Sequence, residues 1–291
     1  MKYVKSFRAN NISDLEEDEI REKEYLHQYT EFDDAGHPIE AITYNPDGTV
    51  EHKYNYKYNA DGKVIDELLI EADDEVTEHR SMQYNEKGQL VKELIHYLDG
   101  TADELIYTYD MDGRVISRRS IDSDGEIGNY LVNVFDGEHL VSETEYDIAG
   151  EIITQQKIIF NEEGQITEEV FITPEANYHI LYNYFENGQT SVRRRYNEEK
   201  QLTERNTYSY DSEGRLSESM EESSAGIEIA YTTYDEAGNV ILQEDKTDEG
   251  DLVGSIDRTY DESKRPLTTC VFSQKPGQQV AQHYRVRVEY A

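Results

Sequence analysis

Eight histidines, sixty-three carboxylates and one cysteine are the residues of this 291-residue chain that could do chemistry. The histidines are His27, His37, His52, His79, His96, His139, His179 and His283. No two of them have the close spacing by which a turn or helix presents a pair of metal ligands. They read as isolated strand or turn histidines. Asp110-Met111-Asp112-Gly113 and Asp122-Ser123-Asp124-Gly125-Glu126 resemble fragments of calcium loops. Neither carries the full Asp-x-Asp-x-Asp-Gly spacing with a distal Glu, and turn chemistry explains both. Carboxylate pairs abound, so in a chain this acidic they do not single out glycosidic chemistry. There is no nucleophile elbow, P-loop or dinucleotide fingerprint. Cys270 stands alone, so no intramolecular disulfide can form, and it reads as a small hydrophobe in a strand. No catalytic, metal or cofactor site is expected, and the chain is read as a non-enzyme.

Those residues sit in a framework that repeats. The aromatics Phe32, Tyr58, Tyr84, Tyr109, Phe135, Phe160, Tyr184, Tyr210, Tyr234 and Tyr260 follow one another at intervals of 24 to 26 residues. Asp or Asn follows each except Tyr184, which precedes Phe185. Four residues after the anchor stands Gly36, Gly62, Gly88, Gly113, Gly164, Gly188, Gly214 or Gly238. Phe135 has a shortened turn at Gly137, and Tyr260 has Lys264 in place of glycine. A second turn falls about halfway through most units, as at Asn45-Pro46-Asp47-Gly48. An Asp or Asn side chain can bond the backbone two residues on, and glycine supplies the left-handed residue that closes a hairpin through a bulge. Between turns the residues alternate with period two, as in Tyr54-Asn55-Tyr56-Lys57-Tyr58. The expected fold is all-β: an extended, curved or spiralling antiparallel sheet of about twenty strands, built from hairpin units of about 25 residues. The tyrosine rows are expected to form the packed inner face of that sheet.

Along the chain, residues 1–30 are expected to be an N-terminal cap. Ser13-Asp14-Leu15-Glu16 has capping-box spacing, which starts a short acidic helix reaching about Glu24. Residues 31–265 are the array, with Glu24–Phe32 its first strand. In it, Glu71-Ala72-Asp73-Asp74, Thr173-Pro174-Glu175-Ala176-Asn177 and Ser223-Ser224-Ala225-Gly226 read as loop variation. Residues 266–291 supply capping strands, with a last turn at Lys275-Pro276-Gly277 and a final strand over Tyr284–Tyr290. Arg285 and Arg287 on that strand read as protection of a sheet edge.

Lys and Arg number 28 against 63 Asp and Glu, a formal net charge of −35. This argues against nucleic acid and anionic membranes as partners, since both need cations from the protein. The charge keeps a long sheet soluble, or receives a basic protein. No stretch has signal-peptide or membrane-span character, and a cytoplasmic location is expected.

Tyr109-Asp110-Met111-Asp112-Gly113-Arg114-Val115 resembles the YD repeat of the Rhs (rearrangement hot spot) family, as do Tyr210–Leu216 and Tyr234–Val240. The likeness runs over about residues 32–265, without that family's core cleavage motif or toxin domain. It implies a long antiparallel sheet of the kind that spirals into a shell around a toxin polypeptide. The units are also similar, more loosely, to the hairpin repeats of the MORN and YwqK-like antitoxin group. Three functions are open at this point. One is a protein-binding scaffold, most concretely an immunity or antitoxin-like protein that sequesters a basic partner. The others are a separately encoded shell part of an Rhs-type toxin system, and a glycan-binding module using the tyrosine face.

Overall fold

The computed structural model describes residues 1–274 and 281–291, and the Lys275-Pro276-Gly277 turn lies outside them. It contains twenty-two strands and one six-residue helix, and each strand pairing described below is antiparallel. The chain opens with β1 (Tyr3–Asn10), α1 (Glu17–Glu22), β2 (Tyr25–Phe32), β3 (Pro38–Tyr44) and β4 (Val50–Tyr58). It continues through β5 (Val64–Glu71), β6 (Val76–Tyr84), β7 (Leu90–His96), β8 (Ala102–Tyr109), β9 (Val115–Ile121) and β10 (Ile127–Asp136). Next come β11 (His139–Tyr146), β12 (Ile152–Phe160), β13 (Ile166–Ile172), β14 (Tyr178–Tyr184), β15 (Thr190–Asn197) and β16 (Leu202–Tyr210). The last are β17 (Leu216–Ser223), β18 (Gly226–Tyr234), β19 (Val240–Thr247), β20 (Leu252–Tyr260), β21 (Pro266–Ser273) and β22 (Gln282–Tyr290).

Two compact units divide the chain, one of residues 1–55, 70–75 and 206–291, the other of residues 56–69 and 76–205. In the second, β6 to β15 pair each with the next in sequence. In the first, β17 to β22 do likewise, and the ladder then passes from β22 to β1, on to β2, β3 and β4.

Sixteen hairpins among the described residues share one five-residue turn. At Asp33–His37, the Asp33 N–H donates to the His37 carbonyl at 2.9 Å and the Gly36 N–H to the Asp33 carbonyl at 3.0 Å. Asp33 Oδ1 accepts the N–H groups of Ala35 and His37 at 2.9 and 2.8 Å. The fourth residue lies at positive φ, as at Gly62 (75°), Gly88 (72°), Gly113 (85°) and Gly214 (80°). This is a type I turn closed by a glycine bulge, a pairing that matches strand twist. Three turns hold the same geometry without glycine: Asp74 (φ 64°), Lys200 (φ 61°) and Lys264 (φ 61°). Glu71–Glu75 is therefore a regular turn and not a loop variant, with the Asp74 N–H bonded to the Glu71 carbonyl at 3.0 Å. Where the first position lacks Asp or Asn, either Thr247 Oγ1 accepts the bond there, from the Asp251 N–H at 3.2 Å, or the third residue takes it over. Asp99 Oδ1 accepts the Thr101 N–H at 2.9 Å in the Tyr97 turn, and Asn187 Oδ1 the Gln189 N–H at 3.1 Å in the Phe185 turn.

Five tyrosine anchors tie their unit to the one before. The hydroxyls of Tyr84, Tyr109, Tyr184, Tyr234 and Tyr260 donate to the carbonyls of Val64, Leu90, Ile166, Leu216 and Val240, at 2.6 to 2.9 Å. Every acceptor is the first strand residue after the preceding turn, and Leu90, Ile166 and Val240 sit at register shifts, opposite Tyr84, Phe160 and Tyr234. Tyr290 makes the same bond to Pro266 at 2.9 Å, so it is a further anchor. Phe135 has no hydroxyl, and there the Asn133 amide donates to the Val115 carbonyl at 3.0 Å. The arginine that follows the turn glycine completes the tie. Arg114 Nε binds Asp110 Oδ2 at 2.7 Å, and its guanidinium stacks 4.3 Å from the centroid of Phe135, the next anchor. Arg215 lies likewise over Tyr234, at 4.5 Å.

Several expectations are corrected. The sheet is not an open array with a free last strand, because β22 lies between β21 and β1. Arg285 and Arg287 do not guard an edge: Arg285 pairs with Glu17 at 2.6 Å and Glu24 at 2.8 Å, and Arg287 with Glu24 at 2.9 Å. Glu24 and Arg285 are buried, and the two arginines outweigh the burial that acts to raise the Glu24 pKa, leaving it lowered. A strand, β1, precedes Glu24–Phe32, and the helix is capped by Glu16 and not by Ser13: the Glu16 N–H donates to Glu19, while Ser13 bonds His283. Finally, the tyrosine rows are not a packed inner face. The buried apolar residues among those described are Ala9, Ile12, Ile70 and Ile180, and the rings remain half-buried.

The turns and ties define two tests. Lys200→Gly relieves a left-handed residue and should raise stability by about 1 kcal/mol, while Gly113→Val should lower it by about 1–3 kcal/mol. Urea midpoints of the two variants moving in the same direction would contradict the turn assignment. Tyr109→Phe deletes the bond to Leu90 and should cost about 1 kcal/mol. Phe135→Tyr should gain nothing, because Asn133 already holds the carbonyl that a new hydroxyl would seek; the same urea titration checks both.

Candidate functional site

The hairpin arithmetic that sets the ties also brings two histidines together. The β6–β7 turn places Tyr84 opposite Leu90 and, beyond the bulge, His79 opposite His96. Their rings stack at 4.2 Å between centroids, tilted by 23°. His79 Nε2 meets Asp66 Oδ2 at 3.1 Å, and Lys57 Nζ binds the other Asp66 oxygen at 3.1 Å. His96 Nε2 meets Ser81 Oγ at 2.8 Å. Burial acts to raise the Asp66 pKa, but the bonds from His79 and Lys57 outweigh it, so the carboxyl sits below its ordinary value.

The two rings form part of the wall of a hollow of about 850 Å³. Leu68, Val76, Tyr97 and Leu98 supply its apolar surface, and Thr77, Asp99, Thr101 and Ser123 its polar surface. That size suits a small ligand or a few side chains of a partner. The turn that carries Tyr97 and Leu98 is fixed: the Tyr97 hydroxyl donates to Asp103 Oδ2 at 2.6 Å, and the other Asp103 oxygen accepts the Ser123 N–H of the next turn at 3.0 Å. Leu98 nonetheless stands 78% exposed and Tyr97 46%.

None of the anchors or turn glycines lines this hollow. They lie at the hairpin ends and serve the turns and ties. Two of the eight histidines, His79 and His96, stack on each other. His37 bonds Asp33, His179 bonds Glu168, and His139 stacks on Phe160. No group of three or more histidine, cysteine, aspartate or glutamate side chains among the described residues is arranged to hold a metal. The calcium-loop fragments are turns, with Asp122 Oδ1 accepting the N–H groups of Asp124 and Glu126. Cys270 is half-buried, and burial raises its thiol pKa.

A second cluster lies within strands β12 to β16. Tyr182 donates to Glu169, which also accepts from Gln156, and Arg193 binds Glu204. Burial first, then the Glu169 bond, push the Tyr182 phenol up to about 12. A phenol held there is a hydrogen-bond donor at neutral pH and not a base.

Residues 21–149, under half of the chain, match a family model described only as an uncharacterised protein. No curated protein matches. Among solved structures, a chain of the Photorhabdus luminescens Tc holotoxin pore aligns at 12% identity and a TM-score of 0.46, over 89% of this chain. This chain spans 15% of that one's length. A porin-like protein from Bacteroides uniformis aligns at 9% identity and a TM-score of 0.34, over 99% of this chain and 96% of its own.

The Asp66 pair gives a pH test. A carboxylate with a lowered folded pKa contributes stability above its unfolded value, about 3.9, and loses it as pH falls through the folded value. In a carbon-13 titration, Asp66 should therefore protonate below the ordinary aspartate range. His79→Phe removes one of the bonds that lower it and should move the midpoint upward; an unmoved midpoint would refute the pairing.

Proposed function

We propose that this protein is a binding scaffold without chemistry of its own, and that its partner is a basic protein. The most concrete form of the reading is an immunity or antitoxin-like protein that sequesters such a partner. The observation that carries it is how the cations are used. Against 63 carboxylates stand 28 Lys and Arg, and many of these are already engaged within the fold. Arg114, Arg215 and Arg265 are held by their own turn aspartates. Lys57, Lys92, Arg193, Arg285 and Arg287 are spent on neighbouring carboxylates. The surplus of carboxylates thus has few cations left to answer it, and a surface of one sign attracts its opposite and repels its like.

The distribution of the other reactive groups supports the same reading. Turn aspartates accept backbone bonds, anchor tyrosines hold carbonyls, and histidines bond carboxylates, serine hydroxyls or rings, so these groups have structural tasks. The resemblance to YD repeats agrees with a scaffold that holds a polypeptide.

The test is a pull-down from the native host followed by association kinetics on the protein it returns. The on-rate should fall steeply between tens and hundreds of millimolar salt, as the Debye length shrinks to about 10 Å and below. An acidic partner bound at a salt-independent rate would refute the reading, as would turnover by the isolated chain that one side-chain change abolishes.

A further inference from the structure

We propose that the hollow beside Tyr97 and Leu98 is the docking point for an apolar side chain flanked by lysine or arginine on an extended basic segment of the partner. The inference rests on the reading of the chain as a binder of basic protein, and adds to it a place and a recognition rule.

Three observations converge there. The first is exposed apolar surface on a rigid support. Leu98 is 78% exposed at the tip of a turn whose backbone is closed by the Gly100 N–H bond to the Tyr97 carbonyl at 3.1 Å. The Tyr97 ring beside it is 46% exposed, yet its hydroxyl is tied to Asp103. An apolar group presented this way is pre-organised and loses little entropy when covered. The second is concavity. Leu68 and Val76 back the hollow, and the stacked rings of His79 and His96 form part of its wall, so a branched aliphatic side chain entering past Leu98 meets surface on several sides.

The third is charge. The turns at 97–101 and 122–126 contain Asp99, Asp122, Asp124 and Glu126 and no lysine or arginine. Asp99 Oδ1 is used by the Thr101 N–H and hydroxyl, which leaves Oδ2 without a bond in its own turn. Charge complementarity selects among the occupants. A second copy of this chain would bring another net charge of −35, and a nucleic acid or anionic lipid would be repelled as well. A basic segment gains from both parts of the surface: its aliphatic side chain fills the hollow, and its flanking cations meet the carboxylates of the two turns.

The probe is a capped octapeptide of six lysines and two leucines, against a control of equal charge with serine in place of leucine. Titration calorimetry at low salt should show the leucine peptide binding at least fivefold more tightly than the control. Leu98→Ser, at a position too exposed to affect folding, should remove that advantage and leave the control's affinity unchanged. The imidazole proton signals of His79 and His96 should move with the leucine peptide and not with the control. Equal affinities for the two peptides, or histidine signals that neither peptide moves, would overturn the docking point. If binding of both peptides nevertheless weakened with salt, the basic-partner reading would stand without it; if neither bound at low salt, both would fall.

Discussion

The hydrogen bond from an anchor tyrosine to a carbonyl of the preceding unit is the contact on which the rest depends. A sheet with few buried apolar residues cannot rely on a filled core. It needs another way to fix each hairpin against the last. The ladder to the following strand stops two residues short of the turn, as at Lys92, Glu168 and Leu242, and leaves a carbonyl without a strand partner, which is costly unless something satisfies it. The tyrosine hydroxyl does so from the next unit, and the turn arginine stacks on the ring that carries the hydroxyl. A single defect in the ladder thus becomes the point of attachment for its neighbour. The need is for a donor at that carbonyl and not for a tyrosine as such, as Asn133 demonstrates beside Phe135.

Much of this is written plainly in the sequence. The interval between anchors, the Asp or Asn that follows and the glycine four residues on are each required by one turn geometry, so their recurrence identifies it. The side-chain bond at Asp99 comes from the third residue of its turn and not the first: an acceptor two residues before the turn's end serves as well as one at its start. Strand β1 could have been found from the alternation of Tyr3-Val4-Lys5-Ser6-Phe7. It lacks a turn on its N-terminal side, and turns were the stronger signal.

The hollow was less legible, for a physical reason. His79 and His96 are far apart in sequence and meet only because the turn between them fixes their register. Counting outward from Tyr84 and Leu90, with one residue allowed for the bulge, pairs them. Nothing in the sequence fixes how far Leu98 projects, since exposure at a turn tip depends on what the adjacent turns do. The pairing of Arg285 with Glu24 was similarly out of reach, because it follows from β22 finding β1. Local patterns cannot encode a contact between the two ends of a chain.

That last pairing has a kinetic side. Nearly every strand contact in this protein joins neighbours in sequence, which form quickly because little chain must be ordered before they do. The β1–β22 ladder joins Val4 to Tyr290 and is the opposite case. Its closure must wait until the intervening hairpins have shortened the path between the ends, since the entropy of closing a loop grows with the length left unstructured. Until then β1 and β22 each present one unpaired edge, and an exposed edge can accept a strand from another molecule. The Glu24–Arg285–Arg287 cluster lies on that seam. Its ion pairs bridge the segment before β2 to β22, and so hold the seam once it has closed.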